Sequence, residues 1–384
     1  MIYRKFGSTD VKLSQLGFGA MRLPLHDVYD PTTIDESAAK RMLHLAIDNG
    51  VNYVDTAYPY HRQTSEIFLG NALKGGYRQK IYLGTKMPVW LVKSTSDPQR
   101  YFDEQLKRLQ TDHIDMYFLH SLGVNAWETV NRYDILSFLD RLLKSGKIRF
   151  AGFSYHDELP LFKEIVGAYS WTFCLVQLNY VDEHYQAGTR GLEYAHQRGL
   201  AVMVMEPMRG GKLAGKVPEE VMEIIARSRW EQTPAQFALR WVMNRAEVSC
   251  VLSGMSSLQQ VKENIAFASE EHVNTLTRHE MNLYAQAREF YQGRTKVNCT
   301  QCGYCTPCSQ KIPIPFILEL YNDACIYDAL EESERMYQVL VKPENRADQC
   351  TECGECGDKC PQHIAIPETL KLAHRMLAQK GERE

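Results

Sequence analysis

Eight short apolar runs alternate with helical stretches between about residues 10 and 270. No other feature restricts the fold as much. Parallel strands need long crossover connections, and helices supply them. Strands are expected at 16–23, 51–57, 81–86, 116–120, 149–154, 173–180, 200–206 and 249–254. Helices are expected at 35–49, 64–73, 96–109, 133–144, 157–168, 188–198, 219–229, 234–244 and 257–268. Such a series predicts an α/β fold, a (β/α)8 TIM barrel. An open doubly wound sheet is the alternative, but no G-x-G-x-x-G follows the first strand.

A barrel of this kind keeps its chemistry where strands run into loops. Asp55 ends one strand, with Tyr60 five residues on. Lys86 ends the next and His120 the one after. Taken singly, each is an ordinary solvated strand end. Together they form a proton-transfer set. A tyrosine hydroxyl is a weak acid near pKa 10, and an adjacent ammonium favours its phenolate. An aspartate would hold that ammonium, and a histidine could give the same substrate oxygen a second hydrogen bond.

The run Asp55-Thr56-Ala57-Tyr58-Pro59-Tyr60, followed by Ser65-Glu66 and Leu69-Gly70, resembles the signature of the aldo/keto reductases. Lys86 and His120 lie where that family places its other two catalytic residues. The resemblance covers roughly residues 1–270. It implies NAD(P)H-dependent reduction of a small carbonyl substrate, with Tyr60 as acid, Asp55 and Lys86 tuning it and His120 orienting the carbonyl. It also implies cofactor contacts from Ser154, Gln177, Asn179, Met205, Gly254, Met255, Gln260, Glu263 and Asn264. A phosphate cradle at Gly254-Met255-Ser256 is physically sensible, because helix N-termini attract anions.

Two positions depart from the family pattern. Met205-Glu206-Pro207 stands where a nicotinamide-stacking tyrosine is often found, and Gln260 where many members place an arginine for the 2′-phosphate. Arg209, Lys212 and Lys262 are the cations available instead. NADP(H) is expected, with NAD(H) as the alternative.

The chain holds 11 cysteines, very unevenly spread. Cys174 and Cys250 lie in apolar runs and read as inert core residues. Cys350-x-x-Cys353-x-x-Cys356-x-x-x-Cys360-Pro361 is the bacterial ferredoxin run, in which three cysteines hold one cluster and the fourth reaches the other. Cys299-x-x-Cys302-x-x-Cys305-x-x-Cys308 repeats it with one residue fewer. Ile-Pro tails follow both, at 312–315 and 364–367. Two [4Fe–4S] clusters are expected. By ferredoxin logic Cys299, Cys302 and Cys305 pair with Cys360, and Cys350, Cys353 and Cys356 with Cys308. Zinc is the alternative, but four-cysteine zinc sites ordinarily use two C-x-x-C pairs.

Residues 316–349 between the motifs read as helical, with Phe316, Ile317, Leu320, Tyr327, Leu330, Met336 and Leu340 available for an apolar face and Cys325 as a buried free thiol. The module therefore looks like a mainly α-helical ferredoxin, with too few apolar residues to fold securely unless the clusters staple it. The expected division is a barrel at 1–275, a connecting helix at 276–298 ending near Gly293, and an iron–sulfur domain at 299–384.

A net charge of -3 gives no basic surface for nucleic acid. The N-terminus has no signal core, and no run is apolar enough to span a membrane. A cytoplasmic protein is expected. The clusters raise a further question, because nicotinamide delivers two electrons as hydride and a cluster passes one. A flavin would bridge that gap, but no flavin motif is present. Either the clusters exchange electrons with a redox partner protein, or they are a structural or docking element beside a barrel that is a reductase or a binding scaffold.

Overall fold

The computed structural model describes residues 1–27 and 30–378. Its chain forms two compact units. One comprises Met1–Pro207 and Ala235–Thr277, the other Met208–Pro234 and Arg278–Glu384.

The first unit is a closed barrel of eight parallel strands in chain order: β3 (Leu16–Gly19), β4 (Tyr53–Asp55), β5 (Tyr82–Met87), β6 (Ile114–Leu122), β7 (Ile148–Tyr155), β8 (Phe173–Gln177), β9 (Ala201–Met205) and β10 (Val248–Ser253). Alternate residues face the barrel interior. That parity puts Tyr53, Met116, Phe118, Phe173, Leu175, Ala201, Met203, Cys250 and Leu252 into one buried cluster. Gly152 sits opposite Phe173, whose ring a Cβ there would meet at 2.3 Å, so the bulk of one strand is matched by its neighbour's missing side chain.

The strands expected from 16 and from 51 are shorter than their apolar runs. Both chains leave the sheet at the barrel mouth, where Ala20 N still donates to Asp55 O at 2.8 Å. Two elements were not anticipated. One is an antiparallel pair, β1 (Tyr3–Lys5) with β2 (Lys12–Ser14), whose neighbours Phe6 and Leu13 join the interior cluster. Buried Arg4 secures this pair, donating to Gln15 Oε1 at 2.8 Å and to the Arg245 and Val248 carbonyls at 3.1 Å. The other is a helix, Val124–Arg132, before the expected Ile135–Lys144.

The second unit is helical. Ile314–Ile326, Leu330–Leu340 and Ile366–Leu377 pack together. Their core holds Ile312, Ile314, Ile317, Leu320, Tyr337, Val341, Ile366 and Leu370, so the unit has more apolar core than its sequence suggests. Of the expected apolar face, Leu330 and Leu340 are exposed, at 40% and 53%. The stripe Ser333–Tyr337–Val341 turns inward instead, because the Tyr337 hydroxyl accepts from Ala347 N and contacts His374 Nδ1, each at 2.9 Å. Cys325 is only partly buried, with its Sγ 3.9 Å from Met376 Sδ. The helix Arg278–Arg294 runs through Gly293, since Arg294 finds Asp328 at 2.7 Å and extends the last turn.

Candidate active site and cysteine pockets

On successive strands the inward position nearest the C-terminal end turns polar. Tyr53 is followed by Asp55, Phe118 by His120 and Leu175 by Gln177, whereas on β9 Met203 is followed by apolar Met205. Near the ends of β5 and β7, Lys86 pairs with Phe118 and Ser154 with Leu175. A two-residue period therefore brings Asp55, Lys86 and His120 together, although they lie as far as 65 residues apart.

Lys86 Nζ donates to Asp55 Oδ1 at 2.5 Å, to Thr56 O at 2.7 Å and to Tyr60 OH at 3.3 Å. The ion pair is fully enclosed. Burial pulls the Lys86 ammonium below its ordinary value, while Asp55 opposes that shift. Burial likewise pushes the Asp55 carboxyl up against the pull of Lys86. His120 is buried beside Tyr60, with ring centroids 6.0 Å apart at 78°. Its pKa lies well below 6.5, through burial and then the charge of Lys86. At neutral pH it is therefore an uncharged imidazole, able to donate from one nitrogen.

Four neighbours of this set were not anticipated. Tyr53 OH donates to Asp55 Oδ2 at 2.8 Å. A Cβ on residue 84 would stand 2.3 Å from that hydroxyl, so Gly84 makes room for it. Gln105 Nε2 donates to the Lys86 carbonyl at 3.0 Å and to buried Glu66 at 2.8 Å. His61 Nε2 accepts from Leu23 N at 3.2 Å, which ties down the turn carrying Tyr60. Trp90 is 43% exposed and lies 5.1 Å from the His120 ring, an aromatic wall for the mouth. Tyr53 reads as part of an apolar run and Gln105 as one polar residue of a helix, so only the contacts reveal them.

The expected cofactor residues fall into two groups. Ser154 Oγ accepts from Ser121 N at 2.7 Å, while Asn179 spends its carboxamide on its own loop. That amide accepts from Val181 N and Asp182 N at 3.0 and 2.9 Å and donates to Asp182 Oδ2 at 3.0 Å. Gln177 Nε2 lies 3.5 Å from the same carboxylate. Met205 closes β9. At the other group, Gly254 and Met255 lead into the helix Leu258–Phe267, capped by Ser257 Oγ on Gln260 N. Asn264 donates to Ser253 Oγ at 3.1 Å, and Glu263 accepts from Gln259 at 2.7 Å. Gln260 Oε1 accepts from Ser256 N at 2.8 Å and so fills part of the cradle from within. Arg22, which sequence reasoning passed over, lies against Gly254 and adds a cation there. Arg209 and Lys212 belong to the second unit, facing Asn298 and Glu319.

The eight motif thiols all lie in the second unit. Cys305 senses the charges of Cys302, Cys299 and Cys360. Cys305, Cys308, Cys350, Cys353 and Cys356 line one small cavity. Among the described residues no three such side chains converge on a single ion. A four-iron cube has its own bulk, and thiolates surrounding a cavity suit it. Cys174 and Cys250 are fully buried, and burial pushes both thiols well up.

Comparison with known proteins identifies both parts of the chain. The aldo/keto reductase family matches residues 15–282, and a 4Fe-4S dicluster domain matches residues 298–365. L-galactose dehydrogenase of Arabidopsis thaliana is 28% identical over 70% of this chain and 88% of its own. The NADH-specific methylglyoxal reductase of Escherichia coli is 24% identical over 68% and 91%. The holo form of an aldo-keto reductase from Bacillus halodurans superposes with a TM-score of 0.62 at 26% identity, covering 75% of this chain and 96% of that one. The chain belongs to the aldo/keto reductase family and carries a C-terminal 4Fe-4S dicluster domain.

Proposed function

We propose that the barrel reduces a small carbonyl compound with NAD(P)H, and that two [4Fe–4S] clusters in the second unit exchange single electrons with a redox partner protein. The contact of Lys86 Nζ with both Asp55 and the Tyr60 hydroxyl carries the first half of this reading. A bound reduced nicotinamide supplies hydride to the carbonyl carbon. Tyr60 gives its hydroxyl proton to the carbonyl oxygen, and the Lys86 ammonium, 3.3 Å away, stabilises the phenolate left behind. Asp55 keeps that ammonium charged and aimed. Uncharged His120 donates to the same oxygen and orients the carbonyl.

For the cofactor, Ser154 with Gln177 suits the carboxamide end. The Gly254–Ser256 turn with Arg22 suits the phosphates. Of the cations considered for a 2′-phosphate, Arg209 and Lys212 are engaged elsewhere and Lys262 is left. NADPH is therefore favoured only weakly over NADH.

Replacing Tyr60 with phenylalanine tests the acid. Carbonyl reduction should fall by about 10²- to 10⁴-fold, with the Kd for NADPH unchanged. Turnover within twofold of wild type would remove Tyr60 from that role. Stepwise NADPH addition to anaerobic protein tests the link to the clusters. Bleaching of their visible band would support coupling within the chain. A constant band would leave the clusters to an outside partner or to a structural role.

A further inference from the structure

Glu66 belongs to the signature run that begins at Asp55, yet the proton transfer described above leaves it without a task. It lies in the first turn of the helix Ser65–Ala72, and it is fully buried. A buried carboxylate persists only where donors surround it. Glu66 has three. Thr85 Oγ1 donates to its Oε1 at 2.7 Å and Gln105 Nε2 to the same oxygen at 2.8 Å, while Arg108 Nη1 donates to Oε2 at 3.3 Å.

Each carboxylate oxygen leads to a different half of the proton-transfer pair. On the Oε1 side lies the backbone of β5. Thr85 directly precedes Lys86 on that strand, and alternation puts their side chains on opposite faces. Gln105 also donates to the Lys86 carbonyl at 3.0 Å, and its own Oε1 accepts from Tyr117 OH at 2.8 Å. Glu66 thus grips β5 from behind, at the residue whose ammonium meets Tyr60 in front.

On the Oε2 side lies the loop that carries Tyr60. Arg108 Nη2 donates to Gln63 Oε1 at 2.8 Å, and its guanidinium lies over the Tyr58 ring, 4.2 Å from the centroid. Arg108 therefore meets the chain on both sides of Tyr60. That stretch needs holding. His61, Arg62 and Gln63 take left-handed φ values of 51°, 49° and 74° in succession, which residues with a Cβ rarely do. Such backbone persists only where surrounding contacts fix it.

We propose that Glu66 is a positioning residue for the proton transfer. It ties the Lys86 backbone, through Thr85 and Gln105, to the Tyr60 loop, through Arg108, and so sets the 3.3 Å contact between Lys86 Nζ and Tyr60 OH. The proposal rests on the reading of Tyr60 as the acid. Cutting the tie lets the loop relax and moves the hydroxyl away from the ammonium. The phenolate is then less favoured, so Tyr60 ionises at a higher pH and gives up its proton less readily.

The test uses full-length protein isotope-labelled at the tyrosine ring carbon that bears the hydroxyl, whose magnetic resonance signal reports ionisation. The signal absent from Tyr60→Phe is that of Tyr60. In Arg108→Met and in Glu66→Gln its titration midpoint should rise by about one pH unit, a tenfold change in the acid constant. Reduction of benzaldehyde by NADPH should fall about tenfold in kcat, with KM within about twofold. The Arg108 side chain reaches the surface at 19% exposure, so Arg108→Met should fold even where Glu66→Gln does not. A folded Arg108→Met with the Tyr60 midpoint unmoved would overturn the proposal, however far its melting temperature drops, because Arg108 would then serve stability alone. Wild-type turnover in Tyr60→Phe would instead sink the reading of Tyr60 as the acid, and the titration would still decide whether Glu66 and Arg108 set its contact with Lys86.

Discussion

In the barrel every candidate catalytic side chain except Tyr60 stands on a strand whose lower positions fill a packed core. In the second unit the thiols stand on turns at the border of one. Asp55, Lys86 and His120 are each at most 3% exposed, whereas seven of the motif cysteines are partly buried and Cys353 is exposed. The difference shows what each chemistry requires. A proton relay depends on fixed distances and an excluded solvent, and the barrel supplies both before any substrate arrives. A cluster brings its own geometry, so the chain need only present thiolates around a space of the right kind.

The sharpest test of that contrast sets one substitution in each unit against the other. Lys86→Met should lower kcat by about 10²- to 10⁴-fold, as loss of a proton-transfer group does, and leave iron content and visible absorption alone. Cys360→Ser should do the reverse, halving the iron while carbonyl reduction stays within about twofold. Kinetics and iron analysis on the same preparations check both. Parallel loss of activity and iron in either variant would break the contrast.

A smaller effect should come from Tyr53→Phe. It removes the donor to Asp55 Oδ2 but keeps the ring that fills the barrel beneath. A hydrogen bond to a charged group contributes about 1.5–3 kcal/mol, part of which the Lys86 contact preserves. We expect kcat to fall about tenfold with KM unchanged. The pH profile of kcat should shift as well, because Asp55 now faces Lys86 without its second partner. A change in melting temperature with an unmoved pH profile would make Tyr53 a packing residue only.

The strand tips were legible because a period of two is simple to follow and a polar residue stands out after an apolar run. The 4Fe-4S dicluster domain was legible because ferredoxin spacing is specific. Other features had no local signal. Strands of three residues, such as Tyr3–Lys5, are too short to show a period. Gln105 looks like one polar residue on an amphipathic helix, yet it bonds Glu66 and the Lys86 carbonyl from the far side of β5. Leu330 and Leu340 fit an apolar stripe, but the hydrogen bonds of Tyr337 choose a different face. Nothing in 208–234 marks it as belonging with the cysteines, because that membership rests on pairs such as Arg227 with Gln286, 59 residues apart.

The smallest predicted effect is one of pH on the barrel alone. Burial holds His61, His120 and His272 below the ordinary histidine range. Two of them are also locked as neutral rings by their partners. His61 Nε2 accepts from Leu23 N at 3.2 Å, and His272 Nδ1 faces the Arg240 guanidinium at 3.2 Å while its Nε2 meets the Phe267 carbonyl at 2.8 Å. An unfolded chain protonates all three near pH 6.5, but the folded barrel does so only at lower pH. Between those limits the unfolded state binds more protons, so stability rises with pH. The stabilising contribution is complete above about pH 6.5 and fades as the pH drops through the folded values. Urea unfolding of full-length protein at pH 7.5 and 5.5 checks this by tryptophan fluorescence, since four of the five tryptophans, Trp90, Trp127, Trp171 and Trp241, lie in the first unit and only Trp230 in the second. The midpoint should be lower at pH 5.5, and His272→Gln should narrow the gap between the two pH values. Equal midpoints would mean that the folded barrel takes up these protons as readily as the open chain, and the neutral His120 required for orienting the carbonyl would go with them.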